Sequence, residues 1–263
     1  MILNIPYIFS LIGMGLAAGS LGALTGVGGG ILIVPALVLL FGVDIKVAVA
    51  TSLLAVIATS TSVGSVYVGR GLAHLRLGMS LEIPTALGGM FGGLVASRMH
   101  PTVLYLTFSV MMTFMSALIW RTRKEDGDSA DADKFPPVKA KGLALGGAAS
   151  FFAGVISGLL GVGGGFIKVP AMALGMGVPI KVSTATSSVM IGVTAAASVF
   201  IYLSRGYVHP LLVAPVVFGV VGGSFLGTRV VHKISSQMLK RILAALLFFV
   251  AIQMLYRSWA GGL

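Results

Sequence analysis

Apolar runs of roughly 20 residues recur along this chain and are separated by short polar breaks. A helix of about that length crosses the hydrocarbon core of a bilayer, which is about 30 Å thick. Hydrophobic residues make up 57% of the chain and charged residues only 10%, whereas water-soluble domains keep about a quarter of their residues charged. The runs are continuously apolar rather than alternating, which disfavours a membrane β-barrel. The sequence therefore predicts an all-α polytopic membrane protein.

The apolar runs form ten predicted segments. Their approximate bounds are 5–24, 25–42, 47–69, 77–97, 102–120, 142–160, 162–178, 182–204, 210–231 and 242–258. The stretch 121–141 carries five of the seven acidic residues, a composition typical of a solvated linker. We therefore predict a first transmembrane repeat at 1–120, a charged cytoplasmic linker at 121–141 and a second repeat at 142–263. Residues 1–45 contain no Lys or Arg, so the first run lacks the basic region of a signal peptide.

The two halves are related by an internal repeat. Residues 26–74 align with residues 161–209 at an offset of 135 without a gap, and 22 of the 49 positions are identical. The shared residues include Gly-Val-Gly-Gly-Gly at 26–30 and 161–165. After a four-residue shift, Pro84 aligns with Pro215 and Gly92 with Gly223. Duplication of this kind within an apolar chain is typical of secondary transporters.

The distribution of Lys and Arg indicates how the halves are oriented. Ten spans with a cytoplasmic linker put 13 of these residues on the linker side and 4 on the other side. If 25–42 and 162–178 were re-entrant, with four spans in each half, the counts would be 10 and 7. Basic residues concentrate on the cytoplasmic side of membrane proteins. The counts therefore favour inverted repeats of five spans each, with eight full spans and two partial ones as the alternative.

Three consecutive glycines interrupt an apolar segment at the same place in each half. Each glycine costs about 1 kcal/mol of helix propensity relative to alanine. A helix that begins inside the membrane exposes amide N–H groups that need a partner, and its dipole favours an anion at that end. We therefore predict a substrate site at the two breaks, with close helix packing as the alternative. The glycines assigned to this site are Gly28, Gly29, Gly30, Gly163, Gly164 and Gly165.

The glycine motifs belong to longer patterns. They read Gly-Ala-Leu-Thr-Gly-Val-Gly-Gly-Gly at 22–30 and Ser-Gly-Leu-Leu-Gly-Val-Gly-Gly-Gly at 157–165, and each is followed by a proline and by Ala-Thr-Ser. On these motifs the sequence resembles the TauE/SafE family of sulfite exporters, also called the toluene sulfonate uptake permease family. The resemblance covers nearly the whole chain and departs only in the linker.

The resemblance implies a multi-pass transporter of the bacterial inner membrane. Its substrate would be a sulfur-containing anion, either sulfite or an organosulfonate, and the family includes both export and uptake. The motifs are specific for the family but not for one substrate. A carrier of another small organic or inorganic anion, or an anion channel, stays open as an alternative.

Polar residues near the breaks supply further candidates. Lys168 stands three positions after the second break, where the first half has Ile33. A Lys near the middle of the membrane costs about 2.5–3.5 kcal/mol on insertion scales, so it needs a partner. We expect Lys168 to be the counter-charge of an anionic substrate, with snorkelling to an interface as the alternative.

The hydroxyl groups of Thr51, Ser52, Thr186 and Ser187 fall in the first turns of the helices that follow the breaks. They are candidate donors to sulfonate oxygens, and bonds to their own helix carbonyls are the alternative.

Glu82 is an acidic residue near the start of the fourth segment. We expect it at a solvated helix end, and the alternative is that it faces a cavity and carries a proton.

Several other classes of function are disfavoured. The chain has no cysteine, and its four histidines are scattered at segment ends, so no nucleophile–base pair or metal cluster is apparent. We therefore predict that the protein is not an enzyme and has no cofactor. The formal charge is +11, but the basic residues lie between apolar runs, so we expect no nucleic-acid partner. The expected partners are a small anionic solute and the lipid bilayer, and a homo-oligomer is an open alternative.

Overall fold

A computed structural model describes residues 4–25, 29–121, 140–230 and 236–260. Gly28 and most of the predicted linker lie outside these residues. The helices in chain order are α1 (Ile5–Thr25), α2 (Gly30–Phe41), α3 (Ile45–Gly69), α4 (Leu75–Arg98), α5 (Pro101–Arg121), α6 (Ala140–Leu160), α7 (Gly165–Pro170), α8 (Ile180–Ser204), α9 (Pro210–Val230) and α10 (Ser236–Ala260). A π-helical turn, Ala171–Gly175, continues α7. The prediction of an all-α polytopic membrane protein is confirmed.

Six helices of the described chain are long and apolar enough to cross a membrane. They are α1, α3, α4, α5, α8 and α9. By contrast, α2 has 12 residues and spans about 18 Å at 1.5 Å per residue, which is well short of a hydrocarbon core of about 30 Å. The predicted full spans at 25–42 and 162–178 are therefore too long. Eight long helices with two short ones describe the structure better.

Backbone conformation explains the short second helix of the C-terminal half. Gly163 and Gly164 have φ angles of +84° and +71°, a left-handed conformation that glycine adopts without steric strain. A right-handed helix cannot continue through these residues, so α6 ends at Leu160 and α7 begins only at Gly165.

The pairing of α5 with α10 shows how the halves are oriented. The Ser109 hydroxyl donates to the Ala251 carbonyl at 2.9 Å, and the Ser116 hydroxyl donates to the Ala244 carbonyl at 2.8 Å. Residue numbers rise along one helix as they fall along the other, so the two helices are antiparallel. Because α5 and α10 occupy the same place in the two repeats, this arrangement is that of an inverted repeat.

The short helix of the second half reverses the chain direction although it is too short to cross alone. α6 runs parallel to α4, since Gly154 lies against Thr85 and Gly158 against Gly89. α8 also runs parallel to α4, since the Thr186 hydroxyl accepts a hydrogen bond from the His74 amide near the start of both helices. α6 and α8 therefore point the same way, and the α7 segment returns the chain between them.

Glycine-to-carbonyl contacts hold two pairs of helices together, each pair with one helix from each half. A methyl group added at Gly88 or Gly92 of α4 would overlap a carbonyl oxygen of α6. The equivalent glycines of the second half, Gly219 and Gly223 of α9, make the same contact with α1. Small residues allow membrane helices to approach this closely. The matching contacts show that the two halves pack reciprocally around a pseudo-two-fold axis.

The centre of the bundle is formed by α3 and α8, the most buried of the six candidate spans. The Ser60 hydroxyl of α3 donates to the Ser188 carbonyl of α8 at 2.7 Å and accepts from the Gly192 amide at 3.1 Å. Both glycine breaks pack against this central pair.

Candidate functional site

The two glycine breaks contact each other inside the bundle. A methyl group added at Gly30 would overlap the carbonyl oxygen of Gly161 and would lie 2.9 Å from the Ser52 hydroxyl. That hydroxyl of α3 bridges the two halves, because it lies 3.2 Å from the Gly30 carbonyl and 2.7 Å from the Gly161 carbonyl. Ser52 is completely buried. The motifs that the sequence separates by 135 residues thus meet at one serine.

The breaks lie beside the middle of the two central helices, α3 and α8. A methyl group at Gly163 would come within 3.1 Å of Val56 and 3.2 Å of Ile191. Both of these residues are near the middle of 25-residue helices, α3 and α8.

Both short helices begin with the same pattern of backbone hydrogen bonds, although Gly29 is right-handed and Gly164 left-handed. In α2 the Leu32 and Ile33 amides donate to the Gly29 carbonyl at 3.1 and 3.3 Å. In α7 the amides of Ile167 and Lys168 donate to the carbonyl of Gly164, the residue equivalent to Gly29, at 3.2 and 3.3 Å. The two amides that precede these bonds in each helix find no acceptor among the described residues. They belong to Gly30 and Ile31 in α2 and to Gly165 and Phe166 in α7.

The equivalent serines of the two halves differ in their partners. Ser187 is the counterpart of Ser52 in the repeat and is also completely buried. Its hydroxyl has no hydrogen-bond partner in the described structure, whereas that of Ser52 has two. A buried hydroxyl without a partner is rare in folded proteins. The two equivalent serines therefore differ, since one hydroxyl is engaged and the other has no partner among the described residues.

The two threonines of the Ala-Thr-Ser motifs are engaged elsewhere. The Thr51 hydroxyl donates to the Val47 carbonyl of its own helix at 2.9 Å, as the own-helix alternative predicts. The Thr186 hydroxyl accepts from the His74 amide at 2.9 Å and so links α8 to the start of α4. In this conformation neither hydroxyl faces the contact between the glycine breaks.

Lys168 takes part in a buried network of three side chains. Its ammonium donates to the Thr194 hydroxyl at 2.9 Å and lies 3.5 Å from Oε2 of Glu82. The Thr194 hydroxyl in turn donates to Oε1 of Glu82 at 2.6 Å. The exposed fractions are 1% for Lys168, 0% for Thr194 and 8% for Glu82. An ammonium, a hydroxyl and a carboxylate thus form a closed triangle among α7, α8 and α4.

The triangle excludes one alternative, for Lys168, and corrects one expectation, for Glu82. Lys168 does not snorkel to an interface, because its side chain is enclosed. Glu82 does not lie at a solvated helix end, because α4 begins seven residues earlier, at Leu75, and the carboxylate is paired with Lys168. Sequence reasoning missed the partner because Glu82 and Lys168 are 86 residues apart. Within the described residues, two of the three ammonium N–H donors have acceptors, and the third does not.

Comparison with known proteins identifies the family. The model of the family "Sulfite exporter TauE/SafE" matches residues 11–254. The "Probable membrane transporter protein YunE" of Bacillus subtilis (strain 168) is 30% identical over 94% of this chain and 97% of its own length. The "Probable membrane transporter protein MJ0441" of Methanocaldococcus jannaschii is 27% identical over 93% of this chain and 94% of its own. No solved structure matches the chain.

The family is one of membrane transporters rather than enzymes, and both relatives are named probable membrane transporter proteins. Their similarity extends over nearly the whole chain. Together with the apolar helices, they establish a multi-pass bacterial membrane transporter. The chain belongs to the TauE/SafE sulfite exporter family.

Proposed function

We propose that this transporter is a secondary carrier of a small sulfur-containing anion, sulfite or an organosulfonate. The anion binds where the two glycine breaks meet, near the bilayer midplane. The observation that carries the proposal is the contact of the two breaks around Ser52, within the buried centre of an inverted repeat. In many secondary transporters the substrate site is formed by paired interrupted helices at the interface between the repeats.

Three kinds of donor support an anionic substrate. The first amides of α2 and α7 precede the intrahelical bonds of those helices, and such amides together with the helix dipole favour negative charge. The buried Ser187 hydroxyl has no partner among the residues that the structure describes. Lys168 adds a positive charge with one N–H donor to spare among the described residues. Together these groups can supply hydrogen bonds to the oxygens of a sulfite or sulfonate group.

The close contact of Gly30 with Gly161 describes a closed conformation of the site. In the proposed cycle the breaks separate, the anion replaces the carbonyl contacts of Ser52, and Ser187 gains its missing partner. Thr51 and Thr186, whose hydroxyls are engaged elsewhere, join the site only if those bonds open.

Ligand-dependent stability tests the substrate class. Purified protein is heated with sulfite, methanesulfonate, sulfoacetate, taurine, sulfate or acetate, with chloride at matched ionic strength as the reference. A ligand at 100 times its dissociation constant stabilises the folded form by about 2.7 kcal/mol. For a protein of this size that corresponds to a rise in Tm of about 5–11 °C. We expect such a rise with sulfite or a sulfonate.

A matched pair of variants locates the binding site. Ser187→Ala removes the unpartnered hydroxyl and should reduce the rise in Tm. Thr184→Ala removes an exposed hydroxyl on the same helix that bonds its own helix, and should leave the rise unchanged. If acetate stabilises the protein as strongly as the sulfur anions do, the carrier belongs to another anion class. If no anion stabilises it, the proposed function is wrong.

A further inference from the structure

The buried ion pair joins the two halves and is present at only one of the two places that the inverted repeat relates to each other. The position equivalent to Lys168 in the first half is Ile33, and the position equivalent to Glu82 in the second half is Val213. Both members of the pair are therefore replaced together by apolar residues at the symmetry-related place. Ile33 is completely buried there, so the fold can fill this position without a charge.

A buried ion pair is not a general means of stabilising a protein. Removing two charges from water is costly, and apolar residues of similar size often serve equally well. Ionisable residues inside a membrane are usually functional for the same reason. Because Ile33 and Val213 fill the symmetry-related place without charge, packing alone does not explain the Lys168–Glu82 pair, and we expect it to have a role in transport.

Few other charges can influence Glu82. Lys168 is the one charged side chain that faces it within the described part of the chain. Residues 145–160 of α6 and the π-helical turn contain no charged residue, and the single charged residue of α8, Lys181, is exposed in its first turn. The other titratable side chains in or next to α4 lie at its ends. They are His74, Arg76 and Arg98.

We propose that Glu82 is the proton-carrying residue that couples anion transport to a proton gradient, with Lys168 paired alternately with Glu82 and with the bound anion. This inference rests on the proposed function. On one side of the membrane the Glu82 carboxylate takes a proton from water and becomes a neutral acid, and the Lys168 ammonium then pairs with the anion. On the other side the anion leaves, the acid returns its proton to water, and the ion pair forms again. One monovalent anion and one proton cross together, and no net charge moves.

Thr194 is placed to serve both states of this cycle. Its hydroxyl donates to the Glu82 carboxylate at 2.6 Å, but the Met190 carbonyl of its own helix lies only 3.3 Å away. When Glu82 is protonated, the hydroxyl can turn to donate to Met190 and can accept a hydrogen bond from the acid. Neither state leaves the hydroxyl without a partner, which fits a position that changes protonation during transport.

Transport in proteoliposomes tests the coupling. Counterflow of ³⁵S-labelled sulfite and methanesulfonate measures anion exchange without a pH gradient, and methanesulfonate keeps one fixed charge at every pH used. An inward proton gradient of one pH unit should then drive about tenfold accumulation by the wild type, because 1:1 coupling converts each pH unit into a factor of ten. Accumulation should be unaffected by a membrane potential set with potassium and valinomycin.

Glu82→Gln keeps the shape of the side chain and removes its titration. We expect this variant to retain counterflow and to lose accumulation, with the final concentration ratio falling from about ten to about one. Asp44→Asn is the matched control. Asp44 is the one acidic residue outside both 121–141 and position 82, it is exposed, and it caps α3 through a side-chain oxygen that asparagine also provides. This variant should accumulate the anion as the wild type does.

The outcomes separate the coupling from the proposed function. Tenfold accumulation by Glu82→Gln would show that Glu82 is not the proton carrier. Wild-type counterflow without accumulation would overturn proton coupling itself. Both results leave the anion carrier intact. Absence of counterflow of either anion in the wild type would overturn both. If Glu82→Gln fails to fold, the wild type alone tests proton coupling. Pyranine trapped inside the vesicles reports the internal pH by its fluorescence, and each transported methanesulfonate must bring one proton into the vesicle. Anion uptake without internal acidification would refute the proposal.

Discussion

The serine pair Ser52 and Ser187 offers a sharp test of the central site, because the inverted repeat supplies its own control. Both side chains are completely buried at equivalent positions. The Ser52 hydroxyl bridges two carbonyls, of Gly30 and Gly161, whereas the Ser187 hydroxyl has no partner among the described residues. Replacing each by alanine removes one oxygen at the same depth in the same kind of helix.

The expected effects on stability differ in size. Hydrogen bonds between membrane helices contribute about 0.6 kcal/mol on average and at most about 1.7 kcal/mol. Ser52→Ala should therefore lower Tm by about 1–7 °C, using about 2–4 °C per kcal/mol for a protein of this size. Ser187→Ala breaks no hydrogen bond and removes an unsatisfied polar group, so Tm should stay the same or rise slightly.

Size-exclusion chromatography after heating measures both values on the same preparation. Adding the stabilising anion extends the test, since Ser187→Ala should keep the stability of the free protein but lose part of the anion-dependent rise in Tm. Equal losses of stability in the two variants would refute the reasoning, because the described hydrogen bonds would then not distinguish the two serines.

Further predictions concern the packing and the ends of the bundle. Gly223→Ala places a methyl group on a carbonyl of α1 and should lower Tm by about 2–12 °C, at about 1–3 kcal/mol for overpacking, whereas Gly222→Ala meets nothing within 4 Å and should not lower it. Tyr202→Phe removes a buried hydrogen bond of 2.8 Å to α6 and should lower Tm by about 1–7 °C in the same heating assay. Lys46→Met removes a bond of 3.0 Å to the last turn of α4 and should speed amide hydrogen exchange there, whereas Lys181→Met, at an exposed residue, should leave that exchange unchanged.

Much of the helical architecture could be predicted from the sequence because a bilayer fixes both the length and the composition of a spanning helix. The predicted segment 182–204 corresponds to α8 at Ile180–Ser204, and 210–231 corresponds to α9 at Pro210–Val230. The lengths of α2 and α7 could not be predicted in the same way. Hydropathy does not report that Gly163 and Gly164 adopt positive φ angles. The predicted segment 162–178 therefore included residues that are not helical.

The candidate site was predicted less completely, because its partners come from distant parts of the chain. Lys168 was identified by its difference from Ile33 in the repeat, but its contact with Glu82 depends on how α7 packs beside α4. A signal was nevertheless present. Glu82 aligns with Val213 under the same repeat, so a positive and a negative residue each lack a charged counterpart. Two such differences of opposite sign within an apolar repeat predict a pair.

The reciprocal packing of α1 with α9 and of α4 with α6 has a consequence for how this protein can move. Each pair of helices held by glycine-to-carbonyl contacts has one helix from each half, so neither half encloses a core by itself. Each rigid body that moves during transport must then contain helices from both sequence repeats. A chain cut within 122–139 would accordingly yield two fragments that become stable only when both are inserted in the same membrane.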